Sequence, residues 1–318
     1  MKATDPVIAL ILPACNEELT IAQTIESFHK AMPEAHIYVV NNNSQDATGQ
    51  IAEVFLGKLD CAGGVIHEPR QGKGNALRRA FQTIDADVYL LADADCTYPA
   101  EMARQMIEPI LNNQADMVVG DRLSGGDYER ENKRPFHGFG NTLVRRLVNL
   151  LFRANIRDIM SGYRAFSRLF VKNYPVLVEG FEIETDMTLH SLHKRFKIVE
   201  IPIAYQDRPA GSISKLNTFS DGTKVIFTIL QILRYYRPLL FFGGLSVILF
   251  IAGLLSAVPV MLDWITYKYI YHVPLAILAT GLQIVAVLMF SIGLILDSLA
   301  QQELRGYERS LLRYSLDR

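Results

Sequence analysis

Cysteine is scarce in this 318-residue chain, and tryptophan occurs once. The three cysteines, Cys15, Cys61 and Cys96, show no metal-ligand spacing and no reason to pair. A basic excess is also lacking: 32 Lys and Arg stand against 33 Asp and Glu, a net charge of −1. That balance argues against a nucleic-acid binder, which carries a basic patch. Internal repeats and low-complexity tracts are absent as well. A signal peptide is not expected, although Leu12-Pro13-Ala14-Cys15 has the outline of a lipoprotein cleavage site. The apolar run before it, residues 7–12, is too short for a signal core, and Asp5 precedes it.

What the chain does have is apolar residues, half of the total, and they are unevenly spread. Residues 239–262 and 274–296 are long apolar stretches, each able to cross a bilayer's ~30 Å hydrocarbon core as a helix. Two all-round apolar runs in succession are poorly explained as buried core helices. Arg234 and Arg237 precede the first, while Arg305, Arg309, Arg313 and Arg318 follow the second. The segment between them holds a single basic side chain, Lys268, with Trp264, Tyr267, Tyr269 and Tyr271 suited to a membrane interface. The positive-inside bias then places both the N-terminal part and the tail in the cytoplasm. The expectation is a multi-pass protein of the cytoplasmic (inner) membrane. Gly243, Gly244, Gly253 and Ser256 are small enough for helix contacts in lipid, which allows for a homo-oligomer through these helices.

Before the apolar stretches, short apolar runs alternate with helical periodicity. Strands are expected at residues 7–12, 36–40, 65–66, 88–92 and 117–119, with helices between them. This βαβα order predicts a mostly parallel sheet covered on both faces. Residues 123–140 read as a long loop. The following 141–153 form an amphipathic basic helix, for which packing on the sheet and lying in the membrane interface are both open. A second such helix is expected at 218–236. The sharpest local signal is Asp93-Ala94-Asp95, directly after the run Val88-Tyr89-Leu90-Leu91-Ala92. Two carboxylates one residue apart at the carboxyl edge of a sheet lie where open α/β folds bind ligands. They repel unless a cation sits between them, which points to a divalent metal and a phosphorylated substrate; an ordinary Asp-rich turn is the plain alternative.

Leu12-Pro13-Ala14-Cys15-Asn16-Glu17-Glu18, the run VVNNNSQDAT at 39–48, Arg70-Gln71-Gly72-Lys73-Gly74-Asn75-Ala76 and the Asp93-Ala94-Asp95 triplet follow one another in order. So do Asp158-Ile159-Met160-Ser161-Gly162-Tyr163-Arg164 and Arg208-Pro209-Ala210-Gly211-Ser212-Ile213-Ser214-Lys215. Together, over residues 7–216, they resemble family 2 glycosyltransferases of the polyprenyl-phosphate branch, which includes dolichyl-phosphate mannose synthase. The last of them has one residue more than that branch's usual loop.

The resemblance implies a GT-A fold, Rossmann-like, in a catalytic domain of residues 1–216; the apolar and charge pattern adds a juxtamembrane helix at 217–238, a transmembrane hairpin at 239–299 and a basic tail at 300–318. It implies inverting transfer of a sugar from a nucleoside-diphosphate sugar to a polyprenyl phosphate, with Mg2+ or Mn2+ held by Asp93 and Asp95. Pro13, Ala14, Glu17 and Asn41 would line the nucleotide pocket, with uracil the preferred base. Asn41 stands where many relatives have Asp, and Thr97 where many have a second metal ligand. Lys73 would reach the donor phosphates, with Gly72 and Gly74 permitting close backbone approach. Arg122, Arg134, Arg164, Arg208 and Lys215 are candidates for the acceptor phosphate, since a guanidinium pairs phosphate oxygens bidentately. Asp158 is the catalytic carboxylate expected near the acceptor, as orienter or base, with Asp95 catalytic through the metal. Glu182, Glu184 and Asp186 form a second acidic group, with Asp186 a candidate base; acidic residues also simply suit a helix N-terminus.

Two other readings stand beside this one. Gln231-Ile232-Leu233-Arg234-Tyr235 resembles the QxxRW motif of processive polysaccharide synthases, with Tyr in place of Trp. A non-catalytic membrane protein that has kept the fold is the third.

Overall fold

The computed structural model describes residues 5–59, 61–124, 137–180, 182–205 and 221–316, with backbone alone at 137–141, 221–228 and 313–316. Chain contacts divide it into two units, Met1–Phe219 and Ser220–Arg318.

The first unit is built on seven strands: β1 (Ile8–Ala14), β2 (His36–Asn41), β3 (Gly63–His67), β4 (Val88–Leu91), β5 (Met117–Asp121), β6 (Arg164–Ser167) and β7 (Ile198–Pro202). They lie side by side in the order β3-β2-β1-β4-β6-β5-β7. Every neighbouring pair is parallel except those made by β6, which runs antiparallel to both β4 and β5. Helices α1 (Ile21–Ala31), α2 (Thr48–Leu59), α3 (Lys73–Thr83), α4 (Ala103–Leu111), α5 (His137–Phe152), α6 (Arg168–Asn173) and α7 (Ile183–His193) connect and cover the sheet.

The central strands are buried on both faces, as a sheet sandwiched between helices requires. Residues of alternate parity go to opposite layers. Ile8, Leu10 and Leu12 join Ile21, Ile25, Phe28, Met106 and Ile110 in one core. Tyr89 and Phe166 face the other, where Phe81, Phe170 and Tyr174 complete an aromatic cluster with ring centroids 5.0–6.5 Å apart. The chain winds from β1 outward to β2 and β3, then returns to place β4 on the other side of β1. Loops leaving β1 and β4 therefore diverge at their carboxyl ends, the crevice where such sheets hold ligands.

The five expected strands are all present, and β6 and β7 are additional. Both carry charge inside a short run, Arg164 in β6 and Glu200 in β7, which hid them from a search for apolar segments. The basic helix expected at 141–153 begins earlier, at His137, and buries Val144 and Val148. Leu143, Arg146 and Leu150 of the same helix face outward.

The second unit comprises α8 (Asp221–Tyr236), α9 (Pro238–Tyr267) and α10 (Val273–Leu316). The last two form a hairpin, and both are long and apolar enough to be candidate membrane spans. Most of their Leu, Ile and Val side chains point outward; Leu255 is 67 % exposed and Ile277 70 %. Such continuous apolar surface calls for lipid or a partner. Polar groups inside the hairpin are satisfied across it: Ser246 Oγ donates to the Ala286 carbonyl at 2.7 Å, and Gln283 Nε2 to that of Phe250 at 3.0 Å. Gly253 packs against Gln283 within this hairpin, where a Cβ would stand 2.7 Å from Nε2, while Gly243 and Gly244 have open space around them. At the turn, Asp263 Oδ2 accepts from the Tyr271 and His272 backbone N–H groups at 2.8 and 3.0 Å. The tail after the second candidate span continues as helix to Leu316.

Candidate active site

The loops after β1 and β2 lock together at the carboxyl edge. Asn16 and Asn43 both adopt positive φ, which Asn tolerates better than most residues. Asn16 Oδ1 accepts from Gln45 N at 2.8 Å, and Thr48 Oγ1 accepts from Glu17 N at 2.8 Å. Thr20 ties this pair to the loop after β4 by donating to the Ala94 carbonyl at 2.8 Å. Pro13, Ala14, Glu17 and Asn41 thus gather on one edge. Asn41 Oδ1 accepts from Ser44 N at 3.2 Å, and its amide lies against Gly49, where a Cβ would stand only 2.4 Å from Nδ2.

Asn42, one residue on, is buried and organises the next loop. It donates to the Arg70 carbonyl at 2.7 Å and accepts from Gly72 N at 2.7 Å. Gly72 is at φ +131°, and a Cβ there would lie 2.2 Å from the Glu179 carbonyl oxygen. At Gly74 a Cβ would lie 2.0 Å from that of Val178. The close approach these glycines permit is therefore to the backbone crossing at 178–179, a different neighbour from the expected donor phosphate.

That crossing presses Lys73 inward. Its ammonium donates to Asp93 Oδ1 at 2.5 Å and to Glu184 Oε1 at 2.6 Å, with 8 % of the Lys73 side chain exposed. Burial opposes the charge, but the Asp93 and Glu184 carboxylates outweigh it and hold the Lys73 pKa above its usual range. Gly162 closes the group from above: a Cβ there would be 2.9 Å from both Asp93 Oδ2 and Lys73 Nζ. Its N–H donates to the Tyr98 hydroxyl at 2.9 Å.

Asp95 is buried, and its Oδ1 accepts from Thr97 Oγ1 at 2.6 Å and Thr97 N at 3.2 Å. Thr97 thus orients the second carboxylate of the pair. The donor set suits a hard divalent cation: two carboxylates one residue apart, oxygen only. Among the described residues no group of three or more His, Cys, Asp or Glu is placed to hold an ion. An ion here would complete its shell with phosphate oxygens and water.

Arg122 follows β5 and grips Asp158 bidentately, Nε to Oδ2 at 2.8 Å and Nη2 to Oδ1 at 3.1 Å. Asp158 has no exposed surface and also accepts from Arg122 N and Met160 N. The Arg122 guanidinium lies over the Tyr205 ring, 5.5 Å from its centroid.

Two expected site residues stand elsewhere. Arg164 is fully buried and donates to the carbonyls of Ser161 at 2.8 Å and Ile159 at 2.6 Å, and to Thr188 Oγ1 at 2.9 Å. It braces the 158–164 loop from beneath and does not face the cleft. Asp186 accepts from the Tyr174 hydroxyl at 2.6 Å, and burial pushes its pKa up. It sits two residues after Glu184 on α7, about 200° around the helix, so the two carboxylates face different ways. Glu184, one of the acidic group, is the one that reaches Lys73. Arg134, Arg208 and Lys215 lie outside the described residues.

Comparison with known proteins bears on this edge. A family model described as Glycosyl transferase family 2 matches residues 9–174. Glycosyltransferase AglJ of Haloferax volcanii is 28 % identical over 312 residues, spanning 96 % of this chain and 98 % of that protein. The dolichyl-phosphate hexose transferase of the same organism is 26 % identical, over 71 % of this chain and 93 % of its own. Among solved structures, glucosyl-3-phosphoglycerate synthase from Mycobacterium tuberculosis, in complex with Mn2+, UDP and glucosyl-3-phosphoglycerate, superposes with a TM-score of 0.54. It is 21 % identical over 72 % of this chain and 80 % of that one, and the likeness shows a shared GT-A-like fold.

Proposed function

We propose that this chain, which belongs to glycosyl transferase family 2, moves one sugar from a nucleoside-diphosphate sugar onto the phosphate of a polyprenyl carrier lipid, inverting the anomeric carbon. The main support is a combination within one chain. A carboxylate pair lies at a sheet edge, with Arg122 held bidentately by Asp158, and the C-terminal helices are apolar enough to meet a lipid. The dolichyl-phosphate hexose transferase resemblance points the same way.

In this reading the nucleotide rests against Pro13, Ala14, Glu17 and Asn41, with uracil the preferred base. Asp95 and Asp93 would hold Mg2+ or Mn2+, which neutralises the diphosphate and eases departure of the nucleotide. Lys73 keeps Asp93 in place, and Thr97 does the same for Asp95. Arg122, its guanidinium oriented by Asp158, receives the acceptor phosphate. Arg134, Arg208 and Lys215 join it by family resemblance.

A phosphate monoester has a second pKa of ~6 and is largely deprotonated at neutral pH, so no strong general base is required. The engagement of Asp158 with Arg122 and of Asp186 with Tyr174 fits that requirement. Residues 1–216 would form the catalytic domain and, with the tail at 300–318, lie on the cytoplasmic side, with the hairpin at 239–299 in the membrane. A panel of UDP- and GDP-sugars, offered with Mn2+ and a short polyprenyl phosphate to the detergent-solubilised full chain, tests the proposal. Mass spectrometry should find one sugar added to the lipid. A ladder of additions, or nucleotide release with no lipid product, would contradict it.

A further inference from the structure

We propose that Glu200, on the edge strand β7, is a positioning residue that sets the Arg122 guanidinium and, through it, the lipid phosphate; this rests on the reading of Arg122 given above. A glutamate on an edge strand is ordinarily a solvated, solubilising charge. Glu200 is instead turned onto the loop that carries Asp158. Its Oε1 accepts from Arg157 N at 2.8 Å and from Asp158 N at 2.9 Å, and its Oε2 from Arg157 N at 3.0 Å. These two N–H groups lie just before the loop re-enters the sheet at β6, outside any helix or strand, and they need an acceptor.

The consequence runs along the loop. With its backbone fixed by Glu200, Asp158 presents both carboxylate oxygens to Arg122. Arg157 adds a second fastening, donating from Nη1 to Ser124 Oγ at 3.2 Å, in the turn just after Arg122. Asp121 caps that turn, accepting from Leu123 N at 2.9 Å and from the Ser124 hydroxyl. The register β5–β7, with Val119 opposite Glu200 and Asp121 opposite Pro202, places Glu200 on the strand beside the one that Arg122 follows. A carboxylate on one strand thereby fixes a guanidinium at the end of the next through a loop belonging to neither. Burial raises the Glu200 pKa against the lowering effect of these N–H groups, as fits a carboxylate drawn inward.

Titration of the full-length protein in detergent with farnesyl phosphate, and separately with UDP and Mn2+, tests this. Glu200→Ala should weaken farnesyl phosphate binding about tenfold and leave UDP binding within about twofold of wild type. Glu200→Gln, whose amide oxygen can accept both N–H groups, should bind farnesyl phosphate like wild type. If Glu200→Ala does not accumulate as folded protein, Glu200→Asp, one methylene too short, should show a partial loss, and wild-type binding by it would overturn the proposal. Arg122→Lys separates the two readings. Wild-type farnesyl phosphate binding by Arg122→Lys would remove the role of Arg122, and that of Glu200 with it. A loss in Arg122→Lys with none in Glu200→Ala would remove the role of Glu200 alone. In the Arg122→Lys background Glu200→Ala should add nothing further. Additive losses, no rescue by Gln, or equal loss of UDP and farnesyl phosphate binding would each overturn the inference.

Discussion

Replacing Lys73 by Met keeps most of the length of the side chain and removes its charge, leaving Asp93 and Glu184 facing one another without a cation. Glu184 is 7 % exposed as a side chain and Asp93 29 %, so one carboxylate is stranded in the interior and the other is partly able to rehydrate. Removing one partner of a buried pair costs about 3–5 kcal/mol, and the exposure of Asp93 favours the lower end. For a unit of this size that corresponds to a fall of roughly 6–12 °C in unfolding temperature. Scanning calorimetry of the full-length protein in detergent measures it. The double variant Lys73→Met/Glu184→Leu removes the stranded charge as well and should recover most of the loss.

Because its two carboxylate partners raise the Lys73 pKa above the ordinary 10.5, its contribution to stability is fully present below that value and is lost only above it. Titration of Lys73 itself should therefore add no pH dependence to the gap between wild type and Lys73→Met below about pH 9. A shift under about 2 °C, or a double variant no better than the single, would refute the reasoning.

Gly162→Ala should fold yet lose roughly tenfold or more in turnover, since its Cβ would crowd Asp93 and Lys73 at 2.9 Å; steady-state kinetics check this. Glu68 has its pKa drawn from 4.5 to about 2 by the hydrogen bonds from Arg70. The stability it adds is present above 4.5 and is lost as pH falls toward 2, so Glu68→Gln should differ from wild type at neutral pH and converge with it in acid denaturation. Asp186→Asn should keep turnover within about threefold of wild type, whereas a loss of a hundredfold or more would identify Asp186 as a base.

The order of elements and the position of Asp93 and Asp95 were legible because apolar runs and helical periodicity report which faces are buried. The β6 strand was not, since Arg164 opens it and satisfies its charge with loop carbonyls, a bond pattern no local window contains. The pairing of Lys73 with Glu184 spans 111 positions of sequence and depends on the segment that crosses over Gly72 and Gly74. Motif order marked Gly72 and Gly74 as special, yet it could not say whether phosphate or backbone comes close. Helical spacing did carry one usable signal: residues two apart on a helix cannot share a face, so Glu184 and Asp186 were never going to act together.

The account's central claim is that the nucleophile is a phosphate oxygen of the carrier lipid, and 31P NMR of the purified lipid product tests it most directly. The account predicts that the phosphomonoester signal of the acceptor is replaced by one phosphodiester signal coupled to the anomeric proton of the transferred sugar. A product that retains its monoester signal, with the sugar attached to any other group, would contradict it.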